Sequence, residues 1–322
     1  MNKTRLYIRA DGNSQIGLGH LIRCMALANM LKNEYEITFV PKEIPDKIRA
    51  EIRGNGFSIN EISAEKEFFD QLKSGNPVVL LDGYRFDKEY QQSVKNKGCN
   101  LVCLDDIHDR EFMADLIINH APGIGEEDYQ TASETTLALG PDYALLRPAF
   151  LEAAAQPLSK TKSSVLLICF GGSDSKNLTK FAAEAALNFD PYQKIIIITG
   201  SAYEHQETLI PLIKKLENVE YHHAVNEHEM VRLMTESDTA IVPSSGILFE
   251  VLATGNTAIS GMYTENQKKV YSGFKELNAI VDAGTFRPDE ISRAIEAAYR
   301  HKKKKIIDGK SPERINNLFK KL

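Results

Sequence analysis

The amino-acid sequence predicts an α/β protein of two doubly wound, Rossmann-like halves. Three observations predict it. Short runs rich in β-branched residues alternate with longer helix-like stretches along the chain. Most of these runs are nearly continuous in apolar residues, as parallel strands covered on both faces must be. The alternation stops once, near Leu145–Phe150, and restarts at Val165.

In the first half, strands are expected at Arg5–Arg9, Glu36–Val40, Val78–Asp82, Leu101–Asp105 and Leu116–Asn119, with a helix from about His20 to Lys32. The segment Glu152–Ser163, rich in Ala, Ser, Thr, Lys and Pro, carries no strand and little helix, and reads as a linker. Strands are expected again at Val165–Phe170, Lys194–Thr199, Val219–His222, Thr239–Val242 and Thr257–Ser260. The domain boundary is therefore expected near residue 156, giving domains 1–155 and 156–322. The stretch Pro288–Leu322 reads as amphipathic helix, its last part packing back on the first domain. A chain of 322 residues suffices for two ordinary cores.

Composition narrows the partners. The net charge is −5, and the one basic run, Lys302–Lys305, reads as a solvated helix end. A nucleic-acid partner is not expected, because phosphate backbones call for a basic face. Met1–Arg9 is a charged lead into a strand rather than an apolar leader. Runs such as Ile195–Thr199 are too short to cross a bilayer, so no membrane partner is expected. Cys24, Cys99, Cys103 and Cys169 form no C-x-x-C pair and sit mostly in apolar stretches, as reduced buried thiols do. A cytoplasmic monomer or weak oligomer is expected.

Open parallel sheets bind ligands beyond the carboxyl ends of their strands. Two such sheets predict a ligand cleft between them, lined by those ends. After the first strand, Arg9–His20 reads Arg-Ala-Asp-Gly-Asn-Ser-Gln-Ile-Gly-Leu-Gly-His. Gly17 and Gly19 allow a tight turn, and the helix behind them offers free N–H groups. The loop does not fit the dinucleotide fingerprint, since Ile22 stands where its third glycine would be. His20 at the helix start is either a cap or a general base; the helix dipole favours its neutral, basic form. Asp82-Gly83-Tyr84 closes another strand, Asp82 as ligand or turn former and Tyr84 as a sugar contact. Asp105–Asp109 resembles a metal cluster only superficially, and its carboxylates read as turn caps. His222, His223 and His228 lack metal-site spacing. No metal or cofactor is expected.

In the second half, Phe170-Gly171-Gly172-Ser173-Asp174 is a strand-to-helix turn able to wrap a phosphate, although it is no Walker A loop. Pro243–Glu250 contains a second such turn at Ser245-Gly246. Glu250, one turn into the following helix, is either a ribose ligand or a carboxylate favoured by the dipole. Asn266 and Gln267 offer paired donors and acceptors.

These segments, with Gly140–Phe150, resemble in order the UDP-2,4-diacetamido-2,4,6-trideoxy-β-L-altropyranose hydrolases of pseudaminic-acid biosynthesis. The second half also looks like the nucleotide-binding half of the glycosyltransferase that makes lipid II. The resemblance implies a GT-B-like fold and metal-independent hydrolysis of a UDP-sugar, with His20 catalytic. It implies substrate-binding roles for Arg9, Asp11, Gly17, Gly19, Arg23, Asp82, Tyr84, Asn266 and Gln267. It implies a UDP site at Gly171, Gly172, Ser173, Val225, Met230, Ser245, Gly246 and Glu250. Departures at Gly12, Asn13, Gly83 and Glu265 bear on sugar specificity rather than on the fold. A glycosyltransferase with the same base, a 2-epimerase and a non-catalytic UDP-sugar binder are the rival readings on this architecture.

Overall fold

The computed structural model describes residues 3–13, 17–72, 75–158, 164–187, 189, 192–214 and 216–322. Residues 14–16, in the expected glycine-rich turn, and 159–163, in the expected linker, lie outside the described residues. The strands are β1 (Thr4–Ala10), β2 (Tyr35–Phe39), β3 (Ser58–Ile59), β4 (Val78–Asp82), β5 (Asn100–Leu104), β6 (Glu111–Phe112), β7 (Leu116–Asn119), β8 (Gln130–Thr131) and β9 (Thr136–Leu139). They continue as β10 (Val165–Ile168), β11 (Lys194–Thr199), β12 (Val219–His223), β13 (Thr239–Pro243), β14 (Thr257–Gly261) and β15 (Ile280–Asp282). The helices are α1 (Gly19–Leu31), α2 (Asp46–Gly54), α3 (Glu65–Gln71), α4 (Lys88–Lys95), α5 (Pro148–Ala155) and α6 (Leu178–Leu187). They continue as α7 (Gln206–Ile213), α8 (Glu227–Glu236), α9 (Gly246–Ala253), α10 (Lys268–Glu276), α11 (Pro288–Arg300) and α12 (Ser311–Phe319).

The chain divides into two compact units, Met1–Pro148 with Lys310–Leu322, and Ala149–Gly309. The first holds a parallel sheet of order β3-β2-β1-β4-β5-β7-β9. The second holds a parallel sheet of order β12-β11-β10-β13-β14-β15. Every residue of β4, β7, β10, β13 and β14 is buried, which is why these strands read as largely apolar runs rather than alternating ones.

In each sheet the order reverses beside the first strand of its unit, between β1 and β4 and between β10 and β13. These switch points leave a crevice at the strands' carboxyl ends, where ligands of such sheets dock. The short strands β3, β9 and β15 escape the sequence pattern. All three lie at or next to a sheet edge, where a few residues suffice for pairing. Helix α5 takes up the first part of the expected linker, because Pro-Ala-Phe-Leu-Glu-Ala-Ala-Ala is a strong helix former led by proline. The first unit closes with α12: the Tyr35 hydroxyl donates to the Phe319 carbonyl at 3.0 Å, and the Ser311 hydroxyl to the Ala144 carbonyl at 2.8 Å.

Candidate active site

The switch point of the first sheet is built from β1, β4 and the amino end of α1. Gly17 has φ +85°, a conformation glycine adopts without strain, and its N–H binds the Asn13 carbonyl at 2.9 Å. This turn delivers Gly19 and His20 to the start of α1. The helix N-cap is Leu18, which offers no side-chain acceptor to the first N–H groups. His20 is buried, yet its surroundings are polar.

The His20 Nδ1 lies 2.7 Å from Asp82 Oδ1, at the last residue of β4. Arg23, one turn along α1, grips the same carboxylate with two donors, Nε to Oδ2 at 2.6 Å and Nη2 to Oδ1 at 2.5 Å. Burial would raise the Asp82 carboxyl, but the charge and hydrogen bonds of Arg23, with the bond from His20, hold it down to about 2. An ionised Asp82 accepts from Nδ1–H, and this tautomer leaves the lone pair on Nε2. Tyr84, 48% exposed, meets the His20 ring edge-on with centroids 5.0 Å apart. Its hydroxyl donates to Asp106 Oδ2 at 3.3 Å, and Arg23 Nη1 donates to that same oxygen at 2.8 Å.

Arg9 and Asp11, expected at the substrate, instead underpin the loop. Arg9 is completely buried, and donates to Asp11 Oδ1 at 2.8 Å and Glu65 Oε1 at 2.9 Å. Asp11 also accepts from the Lys42 and Glu43 N–H groups at 2.6 and 3.1 Å. A buried guanidinium is tolerable only when paired in this way. Arg23 and Asp82, also expected as substrate contacts, direct their charges at each other.

The carboxyl end of β5 supplies Asp105 and Asp106. Asp105 caps its own turn, Oδ2 accepting from the His108 N–H and the Tyr129 hydroxyl, both at 2.8 Å. At the end of β7, His120 Nδ1 accepts from the Leu145 N–H at 3.2 Å. Burial, reinforced by the charge of Arg23, pushes the His120 imidazole down to about 4. His120 therefore stays neutral when folded, whereas it titrates near 6.5 when unfolded. Its stabilisation is complete above pH 6.5 and is lost as the pH falls towards 4. Urea denaturation is expected to show the native protein losing about 2 kcal/mol more than His120→Gln between pH 7.5 and 4.5.

In the second unit, Gly171 (φ +83°), Gly172 and Ser173 form a turn after β10, with Gly172 and Ser173 exposed. Gly200, after β11, allows this turn to pack closely: a Cβ there would fall 2.5 Å from Gly172 Cα. Asp174 accepts from the Leu178 and Thr179 N–H groups, both at 2.8 Å, and so caps α6. At the end of β13, Ser244 is buried with its hydroxyl 2.9 Å from that of Ser260. Ser245 then opens α9 without capping it by its side chain, and Gly246 is exposed. Glu250 lies in the second turn of α9. Val225 and Met230 are half-buried, the latter in α8. Of the two carboxamides after β14, Asn266 is exposed. Gln267 is buried, and its oxygen accepts from the Tyr263 N–H at 2.9 Å, so it braces its own turn.

No family model matches the chain. It is 26% identical over 283 residues to an uncharacterised protein of Methanocaldococcus jannaschii, covering 84% of this chain but only 58% of that relative. It is 28% identical over 302 residues to the spore coat polysaccharide biosynthesis protein SpsG of Bacillus subtilis, covering 88% and 85% of the two. It is 26% identical over 276 residues to the UDP-2,4-diacetamido-2,4,6-trideoxy-β-L-altropyranose hydrolase of Campylobacter jejuni, covering 82% and 93%. The resemblance carried by the motifs therefore holds. Among solved structures, MurG of Acinetobacter baumannii aligns over the whole of both chains with a TM-score of 0.67 at 13% identity. The UDP-GlcNAc 2-epimerase of M. jannaschii aligns over 99% of this chain and all of its own, with a TM-score of 0.60 at 13% identity. The fold is GT-B-like.

Within this GT-B-like chain, the pairing of Asp82 with His20 has no signal in spacing, since 62 residues separate the two. The parallel register of β1 on β4, with Ala10 opposite Asp82, brings them together. Gly200 and Asp106 were likewise not legible as site residues. The four cysteines are buried and free. His222 Nε2 lies 2.6 Å from Glu220 Oε1, and His223 Nδ1 lies 3.1 Å from Thr199 Oγ1. Among the described residues, no group of three His, Cys, Asp or Glu side chains is arranged to hold a metal. No helix among them is long and apolar enough to cross a membrane.

Proposed function

We propose that the chain hydrolyses a UDP-linked 2,4-diacetamido-2,4,6-trideoxy hexose to the free sugar and UDP, in nonulosonate biosynthesis of the pseudaminic-acid type. The observation that carries this reading is the 2.7 Å contact between His20 Nδ1 and an ionised Asp82. An imidazole oriented this way is a general base through Nε2. Its support on the substrate side is the likeness to the Campylobacter jejuni hydrolase.

In the reaction, Nε2 of His20 takes a proton from water as the water oxygen bonds to the anomeric carbon. The bond from that carbon to the β-phosphate oxygen breaks, its electron pair leaves with UDP, and the anomeric centre inverts. The imidazolium is stabilised by Asp82. The diphosphate is held by the turns Gly171–Ser173 and Ser245–Gly246, through backbone N–H groups and the Ser245 hydroxyl, since the Ser245 N–H donates to the Pro243 carbonyl at 2.8 Å; these groups act where charge develops. Glu250 takes the ribose, with Val225 and Met230 beside the uracil. Tyr84 and Asn266 contact the sugar. The route so written uses no metal.

The test is incubation of the purified protein with the UDP-sugar and no acceptor, with and without EDTA, followed by NMR. Equal amounts of UDP and free sugar, undiminished by EDTA, are expected. Release of UDP only when an acceptor sugar is added would assign a glycosyltransferase instead, and abolition by EDTA would contradict a metal-free route.

A further inference from the structure

The contacts around His20 close into a ring. His20 meets Asp82, Asp82 meets Arg23, Arg23 meets Asp106, Asp106 meets Tyr84, and Tyr84 returns to the His20 ring. Three members have a role in the reaction proposed above, and Arg23 holds the Asp82 carboxylate in place; Asp106 has none. We infer that Asp106 is the positioning residue that balances the charge of Arg23, so that His20 can accept a proton, a role that rests on that reaction.

The argument is electrostatic. Arg23 Nη2 lies 3.1 Å from His20 Nδ1, close enough to oppose a second positive charge on the ring. Asp82 alone only cancels Arg23, and protonating His20 would then leave the cluster with a net positive charge away from bulk water. With Asp106 added, the cluster carries one negative charge at rest and none once His20 is protonated. The transfer therefore neutralises charge instead of creating it.

The geometry fits that role. Asp106 Oδ2 takes the third donor of the Arg23 guanidinium at 2.8 Å, while the Arg23 side chain is only 14% exposed. The same oxygen receives the Tyr84 hydroxyl at 3.3 Å, so Asp106 also sets the aromatic wall against the imidazole. Its other oxygen, Oδ1, is buried and has no hydrogen-bond partner among the described residues.

The other titratable groups nearby do not supply this charge. Cys24, its thiol 3.5 Å from Asp82 Oδ2, is pushed up by burial and by the Asp82 charge, and stays neutral. Tyr84 is pushed up to about 12, first by burial and then by Asp106. His120 is held neutral, as described above. Asp105 commits its carboxylate to Tyr129 and to the His108 N–H.

The test is an NMR titration of the His20 ring, assigned by its loss in His20→Gln. The midpoint in Asp106→Asn is expected to fall by about 1 pH unit, with the acid limb of the turnover profile moving equally. Asp106→Glu, which keeps the charge, should stay within roughly 0.3 unit of the native protein. An unchanged midpoint in Asp106→Asn would overturn the inference, and loss of turnover without a shift would reduce Asp106 to a structural role. If Asp106→Asn does not fold, Asp106→Ser makes the same comparison. The titration needs no substrate, so it succeeds or fails independently of the hydrolysis assay.

Discussion

Replacing His20 by alanine is expected to lower turnover of the UDP-sugar about 10²–10⁴-fold while leaving UDP affinity within about 2-fold. The two effects separate because the base sits on the first unit and the proposed diphosphate turns on the second. A lost base raises the barrier to water attack without touching the groups that hold the nucleotide. Steady-state kinetics and calorimetric UDP binding on the same preparations check both halves. A variant that turns over at the native rate removes His20 from the mechanism. One that fails to bind UDP moves His20 from the chemistry to the nucleotide site.

Asp82→Asn is expected to cost roughly 10²–10⁴-fold in turnover as well, and it should cost more stability than His20→Ala. A carboxamide can present its oxygen either to Nδ1–H or to the Arg23 fork, but its NH₂ group then faces a donor on the other side. The favoured tautomer of His20 is lost, and the guanidinium keeps one partner where it had two. Breaking a buried pair of this kind costs about 3–5 kcal/mol, which urea denaturation would read directly. Because Asp82 is held down to about 2, the native rate profile should show no limb from this group between pH 4 and 9. In the native protein its stabilising effect is complete above its unfolded value of 3.8 and is lost only as the pH falls through about 2.

Much of this was legible in the sequence because strands buried on both faces leave continuous apolar runs. The expected bounds of β4, β7 and β11 coincide with those observed, and the turns after β1, β4, β10 and β13 announce themselves by glycine and small polar residues. What was not legible depends on register and side-chain direction. Arg9 follows a β-strand pattern like its neighbours, yet its guanidinium turns back beneath the loop to Asp11 and Glu65. Gln267 reads as a donor and acceptor for a ligand, yet its oxygen holds the Tyr263 N–H. Asp82 reads as a ligand or a turn former at a strand end; its direct contact with a histidine 62 residues away depends on the pairing of β1 with β4.

The claim on which the account turns is that water attacks the sugar carbon, and it is best tested by running the reaction in H₂¹⁸O with the product followed from the first seconds. Mass spectrometry should find the label in the sugar and none in UDP, while NMR should show the first-formed anomer inverted. Label in the β-phosphate of UDP, or retention at the anomeric carbon, would contradict it.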